Sequence, residues 1–218
     1  MPFPLIPVII AVATTLVVGT VATIIYSFAA ADVEVKSGNQ KDEADVTILF
    51  IGETEAGKDT VINLIKDRKF TPNIKKTPMY NTVIATITYK SYESSSENNN
   101  YINYKDKIKI KIINTSGSDS TFEDTEKAKN IPHNIRCYIF DARKFYKDEK
   151  IKNGIQNTIN ECKEKNIKYM SLGTRGDEVN KEKIENKVRS MGIDCSIFEL
   201  SKEPHEQVIE FLFKEYLW

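Results

Sequence analysis

A glycine-containing segment at residues 46–60 has the residue types and spacing of a phosphate-binding site. It reads Val-Thr-Ile-Leu-Phe-Ile-Gly-Glu-Thr-Glu-Ala-Gly-Lys-Asp-Thr. The amides of such a loop form a nest for phosphate oxygens, the N-terminus of the following helix adds partial positive charge, and the lysine supplies a full charge. The segment therefore predicts a site for the phosphates of a nucleotide. The predicted phosphate-binding residues in it are Gly52, Glu55, Ala56, Gly57, Lys58, Asp59 and Thr60.

Alternating strand and helix patterns surround this loop. Apolar and β-branched runs predict strands at Val46–Ile51, Thr82–Lys90, Lys107–Ile113, Ile135–Asp141, Lys168–Gly173 and Cys195–Leu200. Helical spacing of apolar residues predicts helices at Lys58–Lys69, Thr121–Lys129, Lys150–Lys165, Lys181–Met191 and Pro204–Tyr216. Strands separated by helices form a mostly parallel sheet, whereas the second and third strands, joined only by a loop, form an antiparallel hairpin. The sequence thus predicts an α/β domain with a six-stranded, mostly parallel sheet and one antiparallel hairpin.

Composition excludes some classes of protein. The 218 residues carry 31 basic and 31 acidic side chains, and this balance argues against a nucleic-acid-binding protein. The three cysteines are far apart in sequence and have no metal-ligand spacing, which favours reduced, buried thiols.

The first thirty residues differ from the rest of the chain. Residues 5–30 contain no charged side chain and, as a helix, would be about 39 Å long, enough to cross a hydrocarbon core of about 30 Å. We predict a single transmembrane helix at residues 5–30, a linker at 31–45 and the nucleotide-binding domain at 46–218. The alternative is a cleaved signal peptide, but no positively charged region precedes the apolar run. Lys36 and Lys41 follow it, which predicts a single-pass membrane protein whose domain faces the cytoplasm.

Three later segments carry a resemblance to the Ras/Arf-like small P-loop GTPases. Ile113-Asn114-Thr115-Ser116-Gly117 resembles their Asp-x-x-Gly motif, Thr174-Arg175-Gly176-Asp177 their Asn/Thr-Lys-x-Asp motif, and Leu200-Ser201-Lys202 their Ser-Ala-Lys loop. With the phosphate-binding segment, the four motifs cover the chain from Ile48 to Lys202 in the family's order. A membrane span followed by such a domain is similar to the layout of the beta subunit of the signal-recognition-particle receptor.

The resemblance implies a Ras-like fold that binds GTP or GDP with Mg²⁺. It assigns γ-phosphate binding to Gly117 and guanine binding to two groups of residues. A carboxylate accepts both the N1–H and the N2 amino group of guanine, and adenine does not offer that pair of donors. The implied guanine-binding residues are Thr174, Arg175, Asp177, Ser201 and Lys202.

Three positions depart from the family's pattern. Asp59 replaces the Ser or Thr that holds Mg²⁺, Asn114 replaces the Asp of Asp-x-x-Gly, and Ser118 replaces the water-positioning Gln. The resemblance also implies a switch threonine that binds the metal. Thr77 fits its usual distance from Lys58 best, and Thr71 and Thr82 are alternatives. The predicted metal site is therefore Asp59, Thr77 and Asn114, and the predicted catalytic residues are Lys58 and Thr77.

These features predict a membrane-anchored, guanine-nucleotide-binding switch that hydrolyses GTP slowly. Its expected partners are a guanine nucleotide, a lipid bilayer through residues 5–30 and a protein that contacts the switch loops. One alternative is a degenerate GTPase that acts as a membrane docking or scaffold subunit without turnover. A nucleoside monophosphate kinase is less consistent with the chain, because such enzymes clamp phosphates with several arginines and no arginine-rich lid segment is present.

Overall fold

The computed structural model describes residues 11–13, 23–27, 36–37, 44–67, 70, 81–94, 101–115, 122–202 and 205–217. In this part of the chain the strands are β1 (Ala11–Ala13), β2 (Thr23–Ser27), β3 (Lys36–Ser37), β4 (Val46–Ile51), β5 (Asn81–Ser94), β6 (Tyr101–Asn114), β7 (Ile135–Asp141), β8 (Lys168–Thr174) and β9 (Asp194–Ile197). The helices are α1 (Lys58–Asp67), α2 (Phe122–Lys129), α3 (Glu149–Lys165), α4 (Lys181–Arg189) and α5 (His205–Leu217).

The chain divides into two compact units. The larger unit comprises Val33–Ala85 and Lys109–Trp218, and the smaller comprises Met1–Asp32 and Thr86–Ile108. The larger unit contains the predicted phosphate-binding segment, helices α1 to α5, strands β4, β7, β8 and β9, and the parts of β5 and β6 that lie within residues 81–85 and 109–114.

The larger unit contains a parallel sheet of five strands in the order β6-β4-β7-β8-β9. The prediction of an α/β fold with a parallel sheet is confirmed. The six-stranded description is confirmed only in part, because five strands form the parallel sheet and β5 lies next to β6 in the strand order. This arrangement is consistent with a Ras-like domain. Since all five strands run in one direction, their carboxyl ends lie along one edge of the sheet.

Apolar residues on both faces of the central strands form the core. Leu49 and Ile51 of β4 belong to a buried cluster with residues of α3 and α4, whereas the alternate residues Ile48 and Phe50 point to the other face. All seven residues of β7 are buried, as expected for a strand with helices on both sides. Helices α1 and α5 contact each other and contribute a further set of buried residues, Val61, Ile65, Val208, Leu212 and Phe213. The cysteines are buried and unpaired, as predicted.

The smaller unit corrects the predicted transmembrane helix at residues 5–30. Within that range, the described residues form strands: β1 pairs antiparallel with β2, and β2 pairs antiparallel with residues 90–94 of β5. Among the residues described, no helix combines the length and apolar composition needed to span a bilayer. Length and absence of charge favoured a helix, but β2 reads Thr-Ile-Ile-Tyr-Ser, and β-branched and aromatic residues favour strands. The other residues of 5–30 lie outside the described part, and membrane attachment stays a prediction.

A buried ion pair links β7 to α3 at the edge of the sheet opposite the phosphate-binding segment. Arg136 is fully buried, and its Nη1 lies 2.5 Å from Glu161 Oε2. Its Nε donates to Nε2 of His133, whose Nδ1 donates to the Ile131 carbonyl, so this arrangement requires a neutral imidazole. Burial opposes ionisation of Glu161, but hydrogen bonds and charge from Lys129 and Arg136 outweigh it and lower the pKa of the carboxyl.

We predict that Glu161→Gln destabilises the domain by about 2 kcal/mol, because Arg136 would keep a buried charge without its counter-ion. The fall is smaller than for a fully buried pair, since the Glu161 side chain is about one third exposed. The free energy of unfolding in urea measures the effect. Glu164→Gln, at an exposed position of the same helix, is the matched control and should change this value by less than about 0.5 kcal/mol. Equal effects of the two substitutions would contradict the prediction.

Candidate functional site

The predicted phosphate-binding segment is a tight loop between β4 and α1. Strand β4 has the predicted bounds, and α1 begins at the predicted residue, Lys58. Residues 52–57 connect them, and the amide of Val61 closes the first helical turn on the carbonyl of Gly57 at 3.0 Å. The predicted residues from Gly52 to Thr60 therefore lie at the carboxyl edge of the sheet, with the N-terminus of α1 directed into the loop.

Two glycines permit the path of this loop. Gly52 has a φ of 143°, and a Cβ built there would lie 2.0 Å from the carbonyl oxygen of Ile139 on β7. Gly57 has a φ of 94°, and its Cβ would lie 2.9 Å from Cγ2 of Thr174. Glu55, between them, also has a positive φ, of 64°, which is uncommon for a residue with a side chain. The loop is thus held against β7 and the end of β8, and its backbone is partly strained.

Lys58 lies inside the loop. Its side chain is 6% exposed, and Nζ donates to the carbonyls of Gly52 at 2.7 Å and Glu53 at 2.9 Å. Burial lowers the pKa of this lysine to about 8, although the negative charges of Asp59 and Glu53 oppose the shift. The ammonium is therefore held where the loop encloses it, and burial makes its charge unusually costly without an anion.

Asp59 and Asn114, both predicted near the metal, contact each other. Asn114 is the last residue of β6 and is fully buried, and its Nδ2 donates to Asp59 Oδ1 at 2.6 Å. Its amide oxygen Oδ1 is also buried and has no hydrogen-bond partner among the described residues. The backbone around Asn114 is fixed, because both the amide and the hydroxyl of Thr115 donate to the carbonyl of Phe50.

The predicted guanine-binding segment begins beside the phosphate loop. Thr174 ends β8, and its hydroxyl donates to the carbonyl of Ala56 at 2.8 Å, with the Phe140 carbonyl 3.3 Å away. Arg175 has a left-handed backbone with a φ of 57°, and its guanidinium forms an ion pair with Asp141. The segments around residues 56 and 174, which are 118 residues apart in sequence, are therefore joined directly.

Asp177 and the Leu-Ser-Lys segment lie on the same side of the sheet. Asp177 is exposed in a 3₁₀ turn, and the amide of the preceding Gly176 donates to the Phe198 carbonyl at 3.1 Å. Lys202 is exposed and pairs with Glu199 at 2.7 Å. Glu199 raises the pKa of Lys202, and the charge of Asp177 contributes to the same shift. The structure thus brings both predicted guanine-binding segments together, with Ser201 also contacting Glu199.

Three predictions fall wholly or partly on residues outside the described part. Thr77 and Gly117, and with them the predicted γ-phosphate and switch contacts, lie there, as does Thr71. Thr82 is described and belongs to β5. Of the three predicted metal-site residues, only Asp59 and Asn114 therefore belong to the described part of the chain.

Sequence reasoning missed Asp141, which organises one side of the site. Asp141 is 3% exposed and accepts hydrogen bonds from Arg143 at 2.9 and 3.1 Å in addition to its ion pair with Arg175. Burial opposes ionisation, but these two arginines outweigh it and lower the pKa of the carboxyl. The available signal was a single carboxylate at the end of the apolar run Ile-Arg-Cys-Tyr-Ile-Phe-Asp.

A cavity of about 230 Å³ adjoins the phosphate loop on the side of α3. It is smaller than the roughly 300–1,000 Å³ typical of ligand pockets, so it does not enclose a whole nucleotide. Its wall contains both acidic and basic side chains. The lining residues are Glu53, Thr54, Ala56, Asp141, Lys144, Asp148, Lys150 and Ile151.

No protein-family model matches the chain, and the curated proteins searched include no significant relative. Among the described residues, no group of three or more His, Cys, Asp or Glu side chains is placed to hold a metal ion.

We predict that Gly52→Ala destabilises the domain by roughly 3 kcal/mol or more, because the new Cβ would collide with a backbone carbonyl as well as strain the backbone. Gly192→Ala is the matched control: Gly192 also has a positive φ, of 92°, but nothing lies within 4 Å of its Cβ position. In the control, backbone strain alone should lower the free energy of unfolding by about 1–2 kcal/mol. Urea unfolding of both variants measures the difference, and equal losses would contradict the close contact between Gly52 and Ile139.

We predict that Lys58→Met alters the pH dependence of stability. The folded pKa of about 8 is below the ordinary 10.5, so between these pH values the unfolded chain binds more protons than the folded one. The contribution of Lys58 to stability therefore rises as pH rises from about 8 to 10.5, by roughly 3 kcal/mol. The free energy of unfolding of wild type minus that of Lys58→Met, measured across this range, should rise accordingly. Lys66→Met, exposed on the same helix, should give a curve parallel to wild type.

Proposed function

We propose that this chain is a guanine-nucleotide-binding protein of the Ras-like type, with the phosphates at residues 52–60 and the base at residues 174–177 and 201–202. The observation that carries the proposal is the hydrogen bond from Thr174 to the Ala56 carbonyl. It joins a phosphate-type loop to a base-type segment, so one ligand that has both phosphates and a base can contact them together.

The strand order supports the same location. Strand β4 lies between β6 and β7 in the sheet. After β4 the chain forms β5 and β6 on one side of it, and then crosses to the other side to form β7. Ligands of open α/β sheets bind outside the carboxyl ends of the strands at such a reversal. The loop after β4 lies at this point.

The charges of the site favour phosphates. The ammonium of Lys58 and the N-terminus of α1 both supply positive potential at the loop. A bound phosphate would replace carbonyl oxygens as the partner of Lys58 and would offset the cost of burying its charge. When bound, Mg²⁺ would neutralise phosphate charge, and the oxygen atoms of Asp59 and Asn114 suit such a hard cation.

Asp177 is the residue on which base selection rests. Its carboxylate is exposed, with backbone contacts from the neighbouring Gly176 fixing the turn that carries it. A carboxylate accepts both donors of the guanine edge, and a base without them would leave it unpaired. Arg175, held by Asp141, completes the same face.

Turnover is expected to be slow. Phosphoryl transfer depends on positioning an attacking water and stabilising charge, and Ser118 stands where the family has its water-positioning Gln. A protein partner at the switch loops would supply the missing group, as in a regulated switch. The second candidate, a docking subunit that binds nucleotide without turnover, is favoured by the carboxylate of Asp59 beside Lys58, because that negative charge opposes the phosphates.

Competition among GTP, GDP and ATP for the purified full-length chain tests the proposal. We expect GTP and GDP to displace a fluorescent guanine nucleotide at least 100-fold more strongly than ATP does, since a wrong base leaves a polar group unpaired. A preference for ATP, or no nucleotide binding, would overturn the proposal. Single-turnover hydrolysis by the same preparation separates the switch from the docking subunit.

The variant Asp177→Asn tests whether the carboxylate of Asp177 selects the base. The amide keeps one acceptor but replaces the other with a donor, so GTP affinity should fall by at least 100-fold. Xanthosine triphosphate carries a carbonyl where guanine has its amino group, so its affinity should rise in the same variant. Glu178→Gln, the exposed neighbour in the same 3₁₀ turn, is the matched control and should leave both affinities near wild type.

A further inference from the structure

The two residues that depart most from the family's metal-binding pattern are hydrogen-bonded to each other. Asp59 lies in the first turn of α1 and Asn114 at the carboxyl end of β6, 55 residues apart in sequence. Asn114 Nδ2 lies 2.6 Å from Asp59 Oδ1. The two departures from the family's pattern are therefore in direct contact in the fold.

Asn114 also carries an atom that the described protein does not satisfy. The residue is fully buried, and its Oδ1 has no hydrogen-bond partner among the described residues. A buried acceptor without a donor costs free energy, so such an atom in a folded protein calls for a donor beyond the described residues. The backbone at Asn114 is held in place, because the amide and the hydroxyl of the next residue, Thr115, both donate to the Phe50 carbonyl of β4.

The total charge of the pair equals that of the family's pattern. That pattern places a neutral hydroxyl on the helix and a carboxylate after the strand, which gives one negative charge. Here the carboxylate is on the helix and a neutral amide follows the strand, which again gives one. Two carboxylates at this distance would repel each other, whereas a hydroxyl and an amide would leave a cation without a counter-charge.

We propose that Asp59 and Asn114 form an exchanged Mg²⁺ site. The Asp59 carboxylate takes the place of the hydroxyl as the protein oxygen that binds the metal, and Asn114 Oδ1 accepts a hydrogen bond from a metal-bound water. The amide nitrogen of Asn114 holds the carboxylate in place. Carboxylate oxygen, water and phosphate oxygen are the ligands that Mg²⁺ prefers. This inference rests on the proposed nucleotide binding, because phosphate oxygens complete the site.

The test is the affinity of the full-length chain for GDP, measured in MgCl₂ and in excess EDTA. Wild type should bind GDP at least tenfold more tightly with Mg²⁺. Asp59→Asn keeps the size of the side chain but removes the charge, and it should lose this dependence on Mg²⁺. The double variant Asp59→Ser with Asn114→Asp restores the family's arrangement and should regain it. Asp194→Asn, at the exposed first residue of β9, is the matched control and should behave as wild type.

The outcomes separate the two proposals. GDP binding that is equal in MgCl₂ and EDTA would overturn the exchanged site and leave guanine-nucleotide binding intact. No GDP binding in either condition would overturn both. The proposal would also be overturned if Asp59→Asn kept the wild-type gain in GDP affinity with Mg²⁺. It would likewise be overturned if the double variant unfolded as cooperatively as wild type but showed no such gain. Electron paramagnetic resonance of Mn²⁺ with GDP gives a readout without turnover: one bound ion per chain in wild type and loss of it in Asp59→Asn.

Discussion

The phosphate loop can leave β4 along its path only because Gly52 lacks a side chain. Its Cα faces the carbonyl of Ile139 so closely that a methyl group has no room. This contact places the loop directly against β7, just before α1 begins. The residues that follow in the chain make the main contacts of the site. They are Lys58, Asp59 and Ala56, and the carbonyl of Ala56 accepts a hydrogen bond from Thr174.

Electrostatics at this edge of the sheet depend on a small number of pairings. Lys58 is satisfied by backbone carbonyls, which neutralise no charge, so it remains available to an anion. Asp141, in contrast, is paired with two arginines, Arg143 and Arg175, and so holds one residue of the predicted base-binding segment. The ammonium without a carboxylate partner in its hydrogen bonds thus lies at the predicted phosphate site, whereas the arginines paired with Asp141 lie towards the predicted base site.

The sequence predicted the elements whose signals are local. Gly52, Gly57 and Lys58 have a characteristic spacing, and the apolar runs of β4 and β7 are strong enough that their bounds agree with prediction. The family resemblance assigned Asp59 and Asn114 to one predicted metal site, but nothing in the sequence indicates the hydrogen bond between their side chains. Nothing near Asp141 indicates its ion pair with Arg175. The predicted helix at residues 5–30 differs from the strands β1 and β2 for another reason. Apolarity and length fit a membrane helix, while the preference of isoleucine and threonine for strands is a weaker signal and was outweighed.

The bond between Thr174 and Ala56 has a consequence for how the protein is made. The ribosome synthesises the glycine-containing motif early, but the hydroxyl that satisfies its carbonyl follows 118 residues later. Contacts this distant in sequence form late, because a long chain segment must first be closed. A nascent chain that ends before β8 therefore contains the whole motif without the completed loop. The predicted phosphate-binding loop therefore gains its bond from Thr174 only after β8 has joined the sheet.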